Sequence, residues 1–507
     1  MPNHRPNHLY DALFSPHAGK TGTFLLAADA TATSYAAFLS QAARFANALQ
    51  RLGVEPGDRV AVQVEKSPEA LALYAACLQA GAVFLPLNPA YTTAEIAYFV
   101  EDSEPALLVA DPGAADGLTA LAAKAGARIE TLGADGRGTL MAHAAGMPDV
   151  FDTVPRTAGD AAAILYTSGT TGRSKGAVLS HENLLSNALA LKDIWRFTSA
   201  DVLLHALPIF HVHGLFVATN VILAAGASMV FLAKFDAAET IRLMPRATTM
   251  MGVPTFYTRL LAQSDFTSEA ARPIRLFISG SAPLLPQTFV EFETRTGKRI
   301  LERYGMTETG MITSNPYDGE RRAGSVGFPL PGVQVRVANP ETGAVLAPGE
   351  TGVIEVSGPN VLSGYWNKPH LRKTEFRADG YFITGDLGNI DGDGYVTIVG
   401  RAKDLIISGG LNVYPKEIEM LIDGIEGVVE SAVFAIPHAD FGEAVAASVV
   451  AAKGAGLTPE TIKAALKDKL ASFKQPKAIF VVEDLPRNTM GKVQKNVLRE
   501  RHKGHFE

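Results

Sequence analysis

The chain has 507 residues, 47% of them hydrophobic and 19% charged, a composition that excludes a disordered or fibrous protein and, at about 150 residues per domain, suggests roughly three structural units. Forty-six Lys and Arg against fifty-two Asp and Glu leave a formal charge of -6, so nucleic-acid binding through bulk charge is not expected. The single cysteine, Cys77, excludes an intramolecular disulfide and a Cys-rich metal site, and it fits a reducing, cytoplasmic setting.

The first twenty residues contain no apolar run of signal-peptide length and carry Asp11, so no targeting segment is read there. Helical spacing over residues 36–52, an apolar strand pattern at 59–64, a helix at 68–81 and a short buried strand at 83–87 alternate in the manner of α/β layers with parallel sheets. A second α/β pass begins near residue 160. It has a strand at 161–166, a helix at 183–195, and strands at 202–204, 228–232 and 275–279. Residues 212–233 carry no Asp, Glu, Lys or Arg and are long enough to span a membrane. Their His, Asn and Gly residues favour a buried helix, turn and strand, and no membrane span is expected. From about residue 324, Gly and Pro become frequent and short alternating strands follow at 333–337, 352–356 and 395–399. A last α/β piece has helices at 415–423 and 459–470 and strands at 429–436 and 478–482. The fold class expected is α/β. A large N-terminal domain over 1–402 would hold two α/β subdomains and a β-rich one at about 324–402. A small mobile α+β C-terminal domain would cover 403–507.

The segment Tyr166-Thr-Ser-Gly-Thr-Thr-Gly-Arg-Ser-Lys-Gly176 runs from a strand into a loop of hydroxyl residues, glycines and a lysine. Small residues expose backbone N–H groups to phosphate, and Lys175 adds charge. The common nucleotide P-loop ends in Gly-Lys-Ser/Thr, and here the order is Ser174-Lys175-Gly176, so that motif is excluded.

The same string resembles the phosphate loop of the acyl-adenylate-forming superfamily, which includes the AMP-forming acyl-CoA synthetases. Further segments follow in the family's order: 207–214 (LPIFHVHG), 304–309 (YGMTET), 384–386 (TGD), 400–404 (GRAKD), Gly409-Gly410 with 415–419 (PKEIE), and 486–492 (PRNTMGK). The resemblance implies an enzyme that uses ATP, Mg2+ and coenzyme A. Lys492 would be catalytic, with Thr307 at the α-phosphate and Glu308 holding the metal together with Thr167. Thr167, Ser168, Gly169, Thr170, Thr171, Gly172 and Lys175 would meet the phosphates. Ser281 and Tyr304 would line the adenylate site. Asp386 and Arg401 would bind the ribose or phosphate, Lys403 would be a hinge, and Gly409 and Gly410 would reach the pantetheine tunnel. His211 would be the gate beside that tunnel or a packed core histidine, and His213 reads as packing. Acetylation of Lys492 by an acetyltransferase, reversed by a deacetylase, would stop the first half-reaction.

The acid is indicated by Arg303. Fatty and aryl relatives commonly have glycine there, against which an apolar chain can lie. A buried guanidinium needs an anion, and arginine grips carboxylate in a two-pronged fork. A small dicarboxylic acid follows. The string 302–308 (ERYGMTE), with Arg173 and 315–319 (NPYDG), resembles the dicarboxylate-activating members of the family, which implies malonate first and methylmalonate second, with Arg303, His211 and Arg173 at the substrate. The alternatives are an ion pair of Arg303 with Glu302 and a solvated or phosphate-binding Arg173. A non-CoA acceptor such as a carrier protein is the competing class.

Overall fold

The structure, a computed structural model, describes residues 6–167, 174–408, 411–467, 469–488 and 491–506. Local signals start the elements as physical chemistry requires. The helix Pro68–Gln79 begins where the Ser67 side chain accepts from the Ala70 amide and Pro68 needs no donor of its own. Nearly every one of its side chains is buried, and it packs on the amphipathic helix Tyr35–Arg51. Residues 212–233 fold as a π-helical turn His213–Thr219, a helix Asn220–Ala225 and a strand Ser228–Phe231. Among the described residues, no helix is long and apolar enough to cross a membrane.

The strands form four sheets among the described residues. One has seven strands, with Val83–Pro86, Arg59–Gln63, Leu107–Ala110 and Arg128–Thr131 running parallel and Ala161–Thr167 beside them. A nine-stranded sheet has a parallel centre of Ser228–Phe231, Val202–His205, Thr249–Gly252, Leu276–Ser279 and Leu301–Met306. A four-stranded antiparallel sheet runs Gln334–Ala338, Gly352–Ser357, Phe382–Ile390 and Val396–Arg401. The last sheet is built on the long pair Val428–His438 and Gly442–Ala451, with Ala478–Val482 parallel to the latter. The protein is therefore an α/β protein with a separate α+β C-terminal part.

Six of these strands were not singled out from the sequence: Leu107–Ala110, Arg128–Thr131, Thr249–Gly252, Leu301–Met306, Phe382–Ile390 and Gly442–Ala451. Phe382–Ile390 contains Gly385, Asp386 and Gly388, which break any two-residue alternation. Gly442–Ala451 is buried along most of its length and reads as an Ala/Val run with no period. The second C-terminal helix is shorter than expected, Pro459–Leu466.

Candidate active site

The carboxyl ends of the central parallel strands carry the candidate residues, which is where open α/β sheets place their ligands. Ser279 and Glu302 are register partners on the neighbouring strands Leu276–Ser279 and Leu301–Met306, so Gly280 and Arg303 come next and lie side by side. The Arg303 guanidinium folds over Gly280 so closely that a methyl group there would overlap it. Arg303 is 2% exposed, yet its Nε and Nη2 have no hydrogen-bond partner. Burial lowers its pKa to about 9. The neighbouring Glu302 does not pair with it. Its Oε1 accepts from the Leu284 amide at 3.0 Å, and burial raises its pKa to about 7.

Met306 ends its strand in a turn that carries Thr307 and Glu308, and the chain returns as Gly310–Ser314. Glu308 is buried, and its Oε1 accepts from the Thr167 and Tyr365 hydroxyls, each at 3.3 Å. Desolvation raises its pKa. A buried carboxylate that holds only hydroxyls suits a cation. Among the described residues no group of three or more His, Cys, Asp or Glu that could hold a metal ion exists.

Asp386 lies on Phe382–Ile390 with one oxygen 2.6 Å from Arg401 Nε and the other accepting from the Tyr304 hydroxyl. Lys492 is an exposed residue whose ammonium is nevertheless desolvated by the surrounding protein. Its pKa is lowered by that desolvation and then by Arg401, while Asp386 and Glu308 oppose the shift. The loop is seated there, since the neighbouring Gly491 lies against Thr255. His211, half-buried, feels both Lys492 and Arg303. Burial first and those charges second lower its pKa to about 3. The carboxylates of Asp386 and Glu308, the Lys492 ammonium and the unpaired Arg303 guanidinium thus lie within electrostatic reach of one another.

Two family profiles match in order, the AMP-binding enzyme over residues 17–366 and the AMP-binding enzyme C-terminal domain over residues 417–492. The chain belongs to the AMP-binding enzyme family. The ATP-bound crystal structure of MatB from Rhodopseudomonas palustris is 58% identical, with 99% of this chain and 100% of that one covered at a TM-score of 0.97. The ligand-free structure of the same protein, over the same coverage, gives 0.86. A malonate–CoA ligase from Arabidopsis thaliana is 34% identical over 97% of this chain and 88% of its own. A feruloyl-CoA synthase from an Amycolatopsis species is 36% identical over 93% and 94%.

In this AMP-binding enzyme the structure gathers Thr167, Tyr304, Glu308, Asp386, Arg401 and Lys492 through the contacts above, with Arg303 and His211 beside them. Lys175 is buried, and its Nζ lies 2.6 Å from Glu375, over the Tyr365 ring. Its charge therefore has a protein partner beside the tyrosine that donates to Glu308. Thr307 is half-buried in its turn, and Lys403 is exposed in the turn Ala402–Asp404. Ser168, Gly169, Thr170, Thr171, Gly172, Arg173, Gly409 and Gly410 lie outside the described residues.

Sequence reasoning missed several supporting residues. Lys66 is buried, and its Nζ donates to His205 Nδ1 and to the His205 and Leu207 carbonyls, each at 2.9 Å. His205 Nε2 in turn donates to the Gly214 carbonyl at 2.8 Å. This string fixes both ends of the loop that carries His211. Gly214 itself must be glycine, because an added methyl would strike the Pro208 carbonyl. Lys66 follows an ordinary strand pattern and gave no signal. His213 was read as packing, yet its Nδ1 lies 3.1 Å from Ser281 Oγ. Ser281 holds a positive φ of 72°, which no sequence pattern announces.

Proposed function

We propose that this chain joins malonate to coenzyme A with ATP, through malonyl-AMP, and releases AMP and pyrophosphate, with methylmalonate as a second substrate. The observation that carries the reading is the buried Arg303 with its Nε–Nη2 edge free. That edge is a side-on fork for a carboxylate. A buried guanidinium without its anion costs about 3–5 kcal/mol, which a second carboxylate on the acid would offset. The resemblance to the Arabidopsis malonate–CoA ligase supports the same acid.

In the first step a malonate oxygen bonds to the α-phosphorus of ATP as the bond to the β-phosphate oxygen breaks. Two anions must meet, so cations aimed at the developing charge are the main catalytic contribution. Lys492 supplies that charge. Thr307 contacts the α-phosphate, and Asp386 with Arg401 holds the ribose. Mg2+ on Glu308 and Thr167 would neutralise the triphosphate. In the second step the CoA sulfur attacks the acyl carbonyl and AMP leaves. A C-terminal unit beginning at 403 would turn at Lys403 to withdraw Lys492 and bring Gly409 and Gly410 forward. The enzyme is read as cytoplasmic. The exposed Lys492 is open to acetylation, which would block the first step and leave the second.

The test is AMP formation with ATP, Mg2+ and CoA across malonate, methylmalonate, succinate, acetate, butyrate and 4-coumarate. Malonate should lead, and Arg303→Gly should lower its kcat/KM by about 10²–10³-fold. Leading turnover of acetate or butyrate would overturn the choice of acid. AMP formation that does not depend on CoA would overturn the acceptor.

A further inference from the structure

We propose that the helix Thr93–Ser103 holds both ends of the phosphate loop, with Tyr98 and Asp102 as its positioning residues; this rests on the ATP-dependent reading above. The helix begins in a reciprocal cap between Thr92 and Glu95. Its Ile96, Phe99 and Val100 are buried in one core with the parallel strands, which gives it a fixed base. Tyr98 and Asp102 stand four positions apart and so share one face. On that face Asp102 Oδ2 accepts from the Tyr166 hydroxyl at 2.7 Å, and the Tyr98 hydroxyl donates to the Ser174 carbonyl at 2.7 Å. Tyr166 and Ser174 lie on either side of 168–173, the run of glycine and hydroxyl residues that the sequence assigns to phosphate. Neither Tyr98 nor Asp102 lies in a segment that resembles the family.

Ordering glycine-rich backbone around a ligand costs entropy, and ends fixed in advance reduce that cost. The strands on either side are paired with each other, Tyr166 with Gly176 and Thr167 with Lys175, so the helix fixes the hairpin as a unit. Asp102 also reaches a second segment. Its Oδ1 accepts from Lys368 Nζ at 2.9 Å, and its carbonyl accepts from Trp366 Nε1 at 3.1 Å. The chain neighbours of Tyr166 and Trp366 are Thr167 and Tyr365, the two hydroxyls that donate to Glu308. One carboxylate thus stands a single residue behind both partners of Glu308. Asp386 and Arg401 belong to another sheet and make none of these contacts. The helix therefore serves the triphosphate end of the nucleotide and not the ribose.

The experiment titrates ATP with Mg2+, and separately AMP, into the full-length enzyme and into Tyr98→Phe, Asp102→Ala and Asp102→Asn, with no acid or CoA present. AMP lacks the β- and γ-phosphates, so it reports the ribose and adenine side alone. The two Kd values are compared within one preparation, so a loss of folded protein cancels. Tyr98→Phe keeps the ring and removes one hydrogen bond. Its Kd for ATP should rise about three- to tenfold while its Kd for AMP stays in place. Asp102→Ala should raise the Kd for ATP by about tenfold, and Asp102→Asn, which keeps an acceptor for Tyr166, should recover part of that loss. Where Asp102→Ala does not fold, Tyr166→Phe removes the same bond from the other side and should weaken ATP alone. Wild-type ATP binding in both Tyr98→Phe and Tyr166→Phe overturns the proposal. So does an equal rise in the Kd values for ATP and AMP, since a merely structural role would then explain the loss. A wild-type enzyme that binds no ATP overturns the ATP-dependent reading itself, whatever the variants do.

Discussion

Arg401 Nε lies 2.6 Å from Asp386 Oδ1, and the two residues stand opposite one another on the antiparallel strands Phe382–Ile390 and Val396–Arg401. The register of a sheet thus sets the spacing of a charged pair. With the Tyr304 hydroxyl on the other oxygen, the Asp386 carboxylate is oriented on both sides.

Asp386→Ala should therefore weaken nucleotide binding twice over, by removing the ribose acceptor and by leaving the Arg401 and Tyr304 groups without their partner. The KM for ATP should rise by about ten- to a hundredfold, and the KM for malonate should change much less. Initial rates of AMP formation against each substrate measure both.

Lys492→Ala should lower malonate-dependent exchange of pyrophosphate into ATP by about 10²–10³-fold. Thioester formation from supplied malonyl-AMP should survive. The ammonium is held below the ordinary lysine value of 10.5 by desolvation and Arg401. A lowered pKa means the charge is lost at a lower pH than for an ordinary lysine as pH rises. Exchange should thus decline on the alkaline side before pH 10.5, and a profile flat to that point would contradict the assignment.

Arg487 ties the Lys492 loop to the C-terminal sheet. Its Nη1 donates to the Gly491 carbonyl at 2.6 Å, and its other arm pairs with Glu430 on Val428–His438. Asn488 Oδ1 accepts from the Lys492 amide at 3.0 Å in the same turn. Arg487→Ala should leave the fold and the substrate KM values in place and cut the kcat of the adenylation step by about tenfold, because misplacement of a catalytic group by an ångström is costly. Single-turnover measurements of malonyl-AMP formation test this.

Lys66→Met keeps the volume but removes the donor to two carbonyls and His205 Nδ1. Each buried acceptor left unpaired costs about 1–3 kcal/mol. Thermal unfolding should shift down by several degrees, and malonate KM should rise because the 206–214 loop loses its anchor. An unchanged melting temperature would show that the string is dispensable.

The division between what was legible in the sequence and what was not follows the physics. Glu308, Asp386, Arg401 and Lys492 sit in short local strings where glycine, hydroxyl and charge stand at fixed offsets, and such strings can be read in one dimension. Arg303 was legible for a different reason, as a charge in a place that must be buried. Its failure to pair with Glu302 needed the structure, because neighbouring residues on a strand face opposite ways. Lys66 with His205, and His213 with Ser281, are pairs separated by 139 and 68 positions. Nothing local marks them, since Lys66 meets His205 only when two sheets come together, and His213 meets Ser281 only when the turn after Val202–His205 packs beside the end of Leu276–Ser279. Most strands of the parallel sheets were visible as apolar runs. Phe382–Ile390 was not, because the glycines beside Asp386 interrupt its pattern.

The turn Ala402–Asp404 has a fastening on each side. Before it, Arg401 is held by Asp386. After it, Asp404 Oδ1 accepts from Arg499 Nη2 at 2.6 Å, on the closing helix Lys495–His502. Between these two bearings only Ala402 and Lys403 are left, and they would be the axle of the turn proposed above. Any rotation of one part against the other is concentrated in a few backbone torsions, and a small angular error there is magnified along the lever that ends at Lys492. Lengthening the axle by a single residue would therefore misaim the distant ammonium while leaving every contact inside each part intact.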